Sequence, residues 1–114
     1  MVELSNEAQE LLIKFQTQNQ QLQELTAQKQ SLELRKLEIE EALREIEDKN
    51  EIYREIAGLL IKSDKDKVKK ELQEEKELIE IRTKKINESE TRLKEQLQKD
   101  GAKLENILKA QKNQ

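Results

Sequence analysis

The chain contains no cysteine, no proline, no histidine and no tryptophan. Without cysteine there is no disulfide, no thiolate nucleophile and no thiolate metal ligand, which fits a reducing, cytosolic setting. Without histidine, the usual base and metal ligand at neutral pH is missing. Without proline, nothing over 114 residues forces a helix to stop. Aromatic residues make up 2% of the chain, too few for the core of an ordinary globule of this size. No apolar run approaches the roughly 20 residues that span a bilayer. The opening MVELSNEAQELL carries acids where a signal peptide would be basic and then apolar. A soluble, cytoplasmic chain is expected. Neither sign of charge dominates: 22 basic residues face 25 acidic ones, for a net charge of −3. That mixture describes a solvated, ion-paired helix surface. It lacks the basic stripe of a nucleic-acid binder.

What is abundant is charge, at 41% of residues, together with helix formers. Such a composition suits long helices or a coiled coil. Disorder is the competing reading of so much charge, but the apolar residues are ordered. From about Ser5 to Asp48, steps of four and three meet Leu11, Phe15, Gln18, Leu22, Leu25, Lys29, Leu32, Lys36, Ile39, Leu43 and Ile46. Eight of these eleven are apolar, a sustained heptad stripe. Ser5 or Asn6 is positioned as the N-cap. A helix of some 42 residues would run roughly 60 Å and needs a partner along its stripe.

A second helix is expected from about Asp66 to Lys112. Val68, Leu72, Ile79, Ile86 and Leu93 form its stripe, with Glu75, Arg82 and Ser89 as poor intervening positions. The pattern then moves to Leu97, Leu104 and Leu108, which reads as a stutter between Leu93 and Leu104. Gly101 lies there and reads as a weak point where the helix kinks or frays. Leu11 with Leu104, Leu22 with Leu93, and Leu43 with Leu72 share a single antiparallel register. Lys29 with Ile86 and Lys36 with Ile79 fall on the same line, where a lysine stem can cover the isoleucine. The chain therefore reads as a helical hairpin.

Between the helices, NEIYREIAGLLIKSDKDK breaks the pattern. Ile52, Tyr53, Ile56, Leu59, Leu60 and Ile61 favour strand, and Gly58 can supply a positive φ between two short runs. The expectation is a strand over 51–56, a turn near Gly58 and a strand over 59–63. Ser63 and Asp64 are candidate caps for the second helix. A lone two-stranded hairpin is marginal in water and has open edges, so it should join a sheet shared between subunits. A short amphipathic helix or an ordered loop over 50–62 is the plainer alternative.

The order Tyr53-Arg54, Ile56-Ala57-Gly58, Leu59-Leu60-Ile61, Lys62 and Asp64, followed by Val68 and Glu71-Leu72, resembles the signature of prefoldin β-class subunits, most of all the archaeal ones. The glutamine-rich QTQNQQLQELTAQKQ at 16–30 is similar to the same family. The resemblance covers essentially the whole chain, as one domain over 1–114: a mainly α, long antiparallel coiled-coil hairpin with a central β-hairpin. It implies an ATP-independent chaperone of two α and four β subunits. In such a hexamer the β-hairpins assemble into a central double barrel. Non-native polypeptides are held at the coiled-coil tips and passed to a group II chaperonin. The partners implied are an α subunit, other β subunits, clients and the chaperonin, with no nucleic acid, membrane or cofactor.

No catalytic, cofactor or metal site is expected. Glu40-Glu41 and Glu74-Glu75 are better read as solvated helix charge than as metal ligands, and Gly58 and Gly101 make no phosphate loop. In a helical hairpin both chain ends lie at one tip. Leu4, Leu11, Leu12, Phe15, Leu104, Ile107 and Leu108 gather there, more apolar surface than one seam uses. They either hold clients or simply zip the coil. Lys103, Lys109 and Lys112 add basic charge near that end. Ile52, Tyr53, Ile56, Gly58, Leu59, Leu60 and Ile61 are the candidate assembly residues. A structural or scaffolding coiled coil with a defined partner is the rival reading, with helix running on through 50–67 in a dimer. A tubulin-cofactor-like helical bundle is a second rival, also without a β-hairpin.

Overall fold

The structure, a computed structural model, describes residues 4–112. The expectations that touch Met1–Glu3 and residues 113–114 lie outside that range. Helix α1 spans Asn6–Ile46, strands β1 and β2 span Ile52–Ile56 and Leu59–Ser63, and helix α2 spans Lys65–Lys112. The fold is thus mainly α: an antiparallel coiled-coil hairpin interrupted by a two-stranded sheet. Ser5 is the α1 cap, its Oγ accepting from Ala8 N at 3.1 Å, while Asn6 is already helical. Asp64 caps α2, its Oδ1 accepting from Asp66 N at 3.0 Å and Lys67 N at 3.4 Å. The Ser63 hydroxyl instead donates to the Ile61 carbonyl.

Every α1 stripe position from Leu11 to Ile46 is buried or half-buried. Two features of α2 differ from the sequence expectation. Its helix continues unbroken through Gly101 to Lys112. Its stripe is also regular from Leu93 to Leu104, because Leu97 and the buried Asp100 fill the steps between them. The extra step lies earlier, at Glu75, Ile79 and Thr83, where Thr83 is half-buried and Arg82 faces solvent. Polar residues at the later seam positions concealed this from a search for apolar repeats.

The chain forms two compact units. The end unit comprises Met1–Gln28 and Lys85–Gln114. In it, Lys14 Nζ lies 3.6 Å from Asp100 Oδ2 and the Thr26 hydroxyl donates to Glu90 Oε2 at 3.1 Å. The hairpin unit comprises Lys29–Lys84. There Lys36 pairs with Glu80 at 3.4 Å, Glu40 with Lys76 at 3.5 Å and Glu47 with Lys69 at 3.1 Å. In each unit these partners fall within one residue of the register expected from the leucines. Arg35 forms a two-point pair with Glu75, at 2.8 and 3.1 Å, that reaches back toward the start of α2. The ion pairs of the hairpin unit, which are partly exposed, each contribute about 0–1 kcal/mol. Burial of Ile39, Ile52 and Ile79 contributes about 1.5–3 kcal/mol apiece and dominates the hairpin unit.

In the sheet, Ile52 faces Ser63, Tyr53 faces Lys62, Arg54 faces Ile61, Glu55 faces Leu60 and Ile56 faces Leu59. The loop is only Ala57-Gly58, with φ of 50° and 81°. Positive φ at both residues makes a type I′ turn, whose twist matches that of the strands. Gly58 adopts this conformation without strain. Ala57 does not: a non-glycine residue there costs about 1–2 kcal/mol. Asparagine tolerates the same conformation, so Ala57→Asn should raise stability by about 1 kcal/mol in urea denaturation without changing the slope. A loss of stability would contradict the turn geometry.

Candidate functional site

Two surfaces carry the candidate residues, and each belongs to one unit. The first is the sheet. Residues alternate between its faces, and cross-strand partners share a face. One face therefore carries Ile52, Arg54, Ile56, Leu59, Ile61 and Ser63. Ile52 is buried within the unit, whereas Ile56, Leu59 and Ile61 are exposed together on that face. Arg54, between Ile52 and Ile56, forms a charged hydrogen bond to Glu71 that ties β1 to α2. This bond holds the Glu71 carboxyl below its ordinary range, with Lys67 adding a smaller attraction. The other face carries Tyr53, Glu55, Leu60 and Lys62. The Tyr53 hydroxyl donates to Glu51 at 3.4 Å and Lys62 reaches the same carboxylate at 3.5 Å. Leu60, at 74%, is the most exposed large apolar residue among the described residues. Both outer strand edges are unpaired in this two-stranded sheet.

The second surface is the free end of the helix pair. Leu11 is buried, and Leu4, Leu12, Phe15, Leu104 and Ile107 are half-buried; Leu108 is exposed. Ile13, which completes the run Leu11-Leu12-Ile13, is also exposed. It lies off the stripe and was not among the expected residues, although three consecutive apolar side chains cannot all enter one seam. Just inside this end sits a polar layer that apolar periodicity does not reveal. Asp100 is buried at 6% exposure and Gln96 Nε2 lies 3.1 Å from both its oxygens. Hydrogen bonds from Gln96, then Gln18, together with the Lys14 ammonium, hold the Asp100 carboxyl below its ordinary range.

Gly101 follows Asp100, and its role differs from a weak point. A Cβ there would lie 3.2 Å from the Phe15 ring. The missing side chain thus makes the place where the chain's single phenylalanine rests against α2. Deeper in this unit, Leu25 and Leu93 floor an open groove bordered by Gln21, Glu24, Gln28, Ser89, Arg92 and Gln96. These are groups for hydrogen bonding and contact, with no paired nucleophile and base. Among the described residues, no cluster of three or more acidic, histidine or cysteine side chains is placed to hold a metal. Among them, too, no helix is long and apolar enough to cross a membrane.

Comparison with known proteins places this architecture. The sequence model of the family described as "Prefoldin subunit" matches residues 9–111. The chain belongs to the prefoldin subunit family. Within that family it is similar to prefoldin subunit beta of Archaeoglobus fulgidus, at 35% identity over 97% of this chain and 98% of the relative. Prefoldin subunit beta of Saccharolobus islandicus is 38% identical over 92% of this chain and 86% of its own length. Among solved structures, the prefoldin beta subunit from Thermococcus strain KS-1 superposes with a TM-score of 0.80 at 32% identity, covering 95% of this chain and 97% of that one. The beta2 subunit of the same strain gives 0.67 at 25% identity over 77% of this chain and 97% of that one. The archaeal β-class resemblance and the helix–hairpin–helix fold are both supported by these matches. Prefoldins form a non-enzymatic chaperone family.

The Phe15–Gly101 contact gives a specific expectation for the prefoldin helix pair. In an isolated helix, Gly→Ala is worth about 1 kcal/mol of stability. Here Gly101→Ala should fail to give that gain in urea denaturation, because the new methyl group pushes on the ring. In a Phe15→Leu background the same substitution should become stabilising by about 1 kcal/mol. Equal effects in both backgrounds would show that the ring does not rest on Gly101.

Proposed function

We propose that the chain is the β-class subunit of an ATP-independent holding chaperone, acting in the cytoplasm as one domain over 1–114. The observation that carries this reading is the trio Ile56, Leu59 and Ile61, exposed together on one face of a two-stranded sheet with open edges. Such a sheet is marginal by itself. Pairing its edges with hairpins of other prefoldin subunits satisfies the backbone and covers the trio. Two α-class and four β-class subunits would close such a barrel-like core. Ile52 takes a supporting part, since it is already buried within the chain. Tyr53 and Leu60, on the second face, would meet neighbouring subunits or flanking helices.

The free helix ends are proposed as the client-holding surface. Ile13 and Leu108 are exposed there, and Leu4, Leu12 and Ile107 are partly so. Leu11 and Phe15 face the seam and are reached only when the end turns part. An apolar, sequence-indifferent contact of this kind binds non-native segments weakly at each end. Several ends on one assembly supply avidity, so a client is retained without nucleotide and released by competition to a group II chaperonin. No catalytic group or cofactor enters this scheme.

The two surfaces separate experimentally. Leu59→Asp and Ile61→Lys should break the assembly formed with an α-class subunit, as read by size-exclusion chromatography. An intact assembly would refute the shared-sheet reading. Removal of residues 1–11 and 104–114 should leave assembly intact and weaken suppression of client aggregation. Undiminished protection by that truncated complex would refute the placing of clients at the helix ends.

A further inference from the structure

Among the described residues, the buried positions of the end unit include Gln18, Glu90 and Asp100 beside Ala8 and Leu11, whereas those of the hairpin unit are all isoleucine. In the end unit, Gln18 and Asp100 are buried against each other, and Glu90, 7% exposed, accepts from Thr26. In the hairpin unit the corresponding buried residues are Ile39 at 1% and Ile79 at 4%, and the charged groups of the Lys36–Glu80 and Glu40–Lys76 pairs stay partly exposed. The two kinds of layer respond differently to opening. A buried carboxylate gains hydrogen bonds on closing and loses hydration, so the net stabilisation is small and water restores much of it on opening. A hydrocarbon layer has no such compensation. Polar layers do, however, specify register. Lys14, Gln18 and Gln96 converge on Asp100 in one alignment of the two helices.

We propose that the polar layers Gln18–Asp100 and Thr26–Glu90 let the end unit open readily and reclose in register, presenting Leu11, Phe15 and Leu104 to non-native segments. This inference rests on the reading of the helix ends as the client-holding surface. Stability and capture then oppose each other in the end unit. Drying the seam should tighten the helices and reduce client binding.

The test compares the full-length chain with two independent variants, Gln18→Leu/Asp100→Leu and Thr26→Leu/Glu90→Leu. Amide hydrogen exchange is read over 4–28 and 85–112 and, as an internal reference, over 29–84. Exchange in the end unit should slow by about tenfold or more, the effect of replacing buried ionic groups with packed hydrocarbon. Exchange over 29–84 should not change. Suppression of light scattering by a guanidinium-denatured protein diluted into the sample should fall in parallel. Unchanged or faster exchange in both variants would overturn the proposal. Slower exchange with full suppression would overturn it as well, since opening would then not be how the seam residues are used. That outcome is distinct from failure of the client-holding reading, which is decided by the terminal truncation.

Discussion

A two-stranded sheet cannot cover its own apolar side chains, and the rest of this chain follows from that constraint. Ile56, Leu59 and Ile61 share a face that the described residues leave largely exposed. Fully burying an exposed side chain of this kind is worth about 1.5–3 kcal/mol, and these three are already partly covered. The ion pairs along the helices are worth about 0–1 kcal/mol each. On the proposed reading, association through the hairpin would complete the burial of Ile56, Leu59 and Ile61. Arg54, tied to Glu71, ties the sheet to α2, so a hairpin fixed in an assembly also fixes the start of that helix. Capping of α2 by Asp64 and the bond from Lys65 to the Glu47 carbonyl keep the crossings between helix and strand short.

The helices answer a different requirement. Where they adjoin the hairpin, the buried seam positions are isoleucine and the charged ones, such as Lys36 and Glu75, are half-buried. Toward the free ends, the seam admits Gln18, Glu90 and Asp100. On the proposed reading, this difference would let the ends part while the hairpin stays assembled. Small residues serve the same division. Gly58 makes the tight turn possible, and Gly101 makes room for Phe15.

Much of this could be read directly from the residues. The α1 stripe, the antiparallel register and the break at Gly58 are set by periodicity and turn chemistry, which act locally. Three features were not readable, each for a physical reason. Ala57 carries no turn signal, because its positive φ is imposed by the two-residue loop and the strand twist. Gly101 looked like a flaw in a helix, because its partner Phe15 is far away in the chain. The α2 seam departs from the apolar pattern from Thr83 on, because Glu90 and Asp100 occupy positions where only apolar residues are sought. Their burial depends on partners from α1, which no single-helix pattern contains. At the helix ends, Leu11 and Phe15 lie in the seam while Ile13 faces out. That distinction depends on the rotation of the helices about their axes.

The central claim is that the hairpin is the assembly surface. It is tested most directly by amide hydrogen exchange over residues 52–63, in the chain alone at low concentration and in its complex with an α-class prefoldin subunit. The account predicts rapid exchange of the outer-edge amides of β1 and β2 in the chain alone and strong protection of the same amides in the complex. A complex that forms while those amides exchange as fast as before would contradict it.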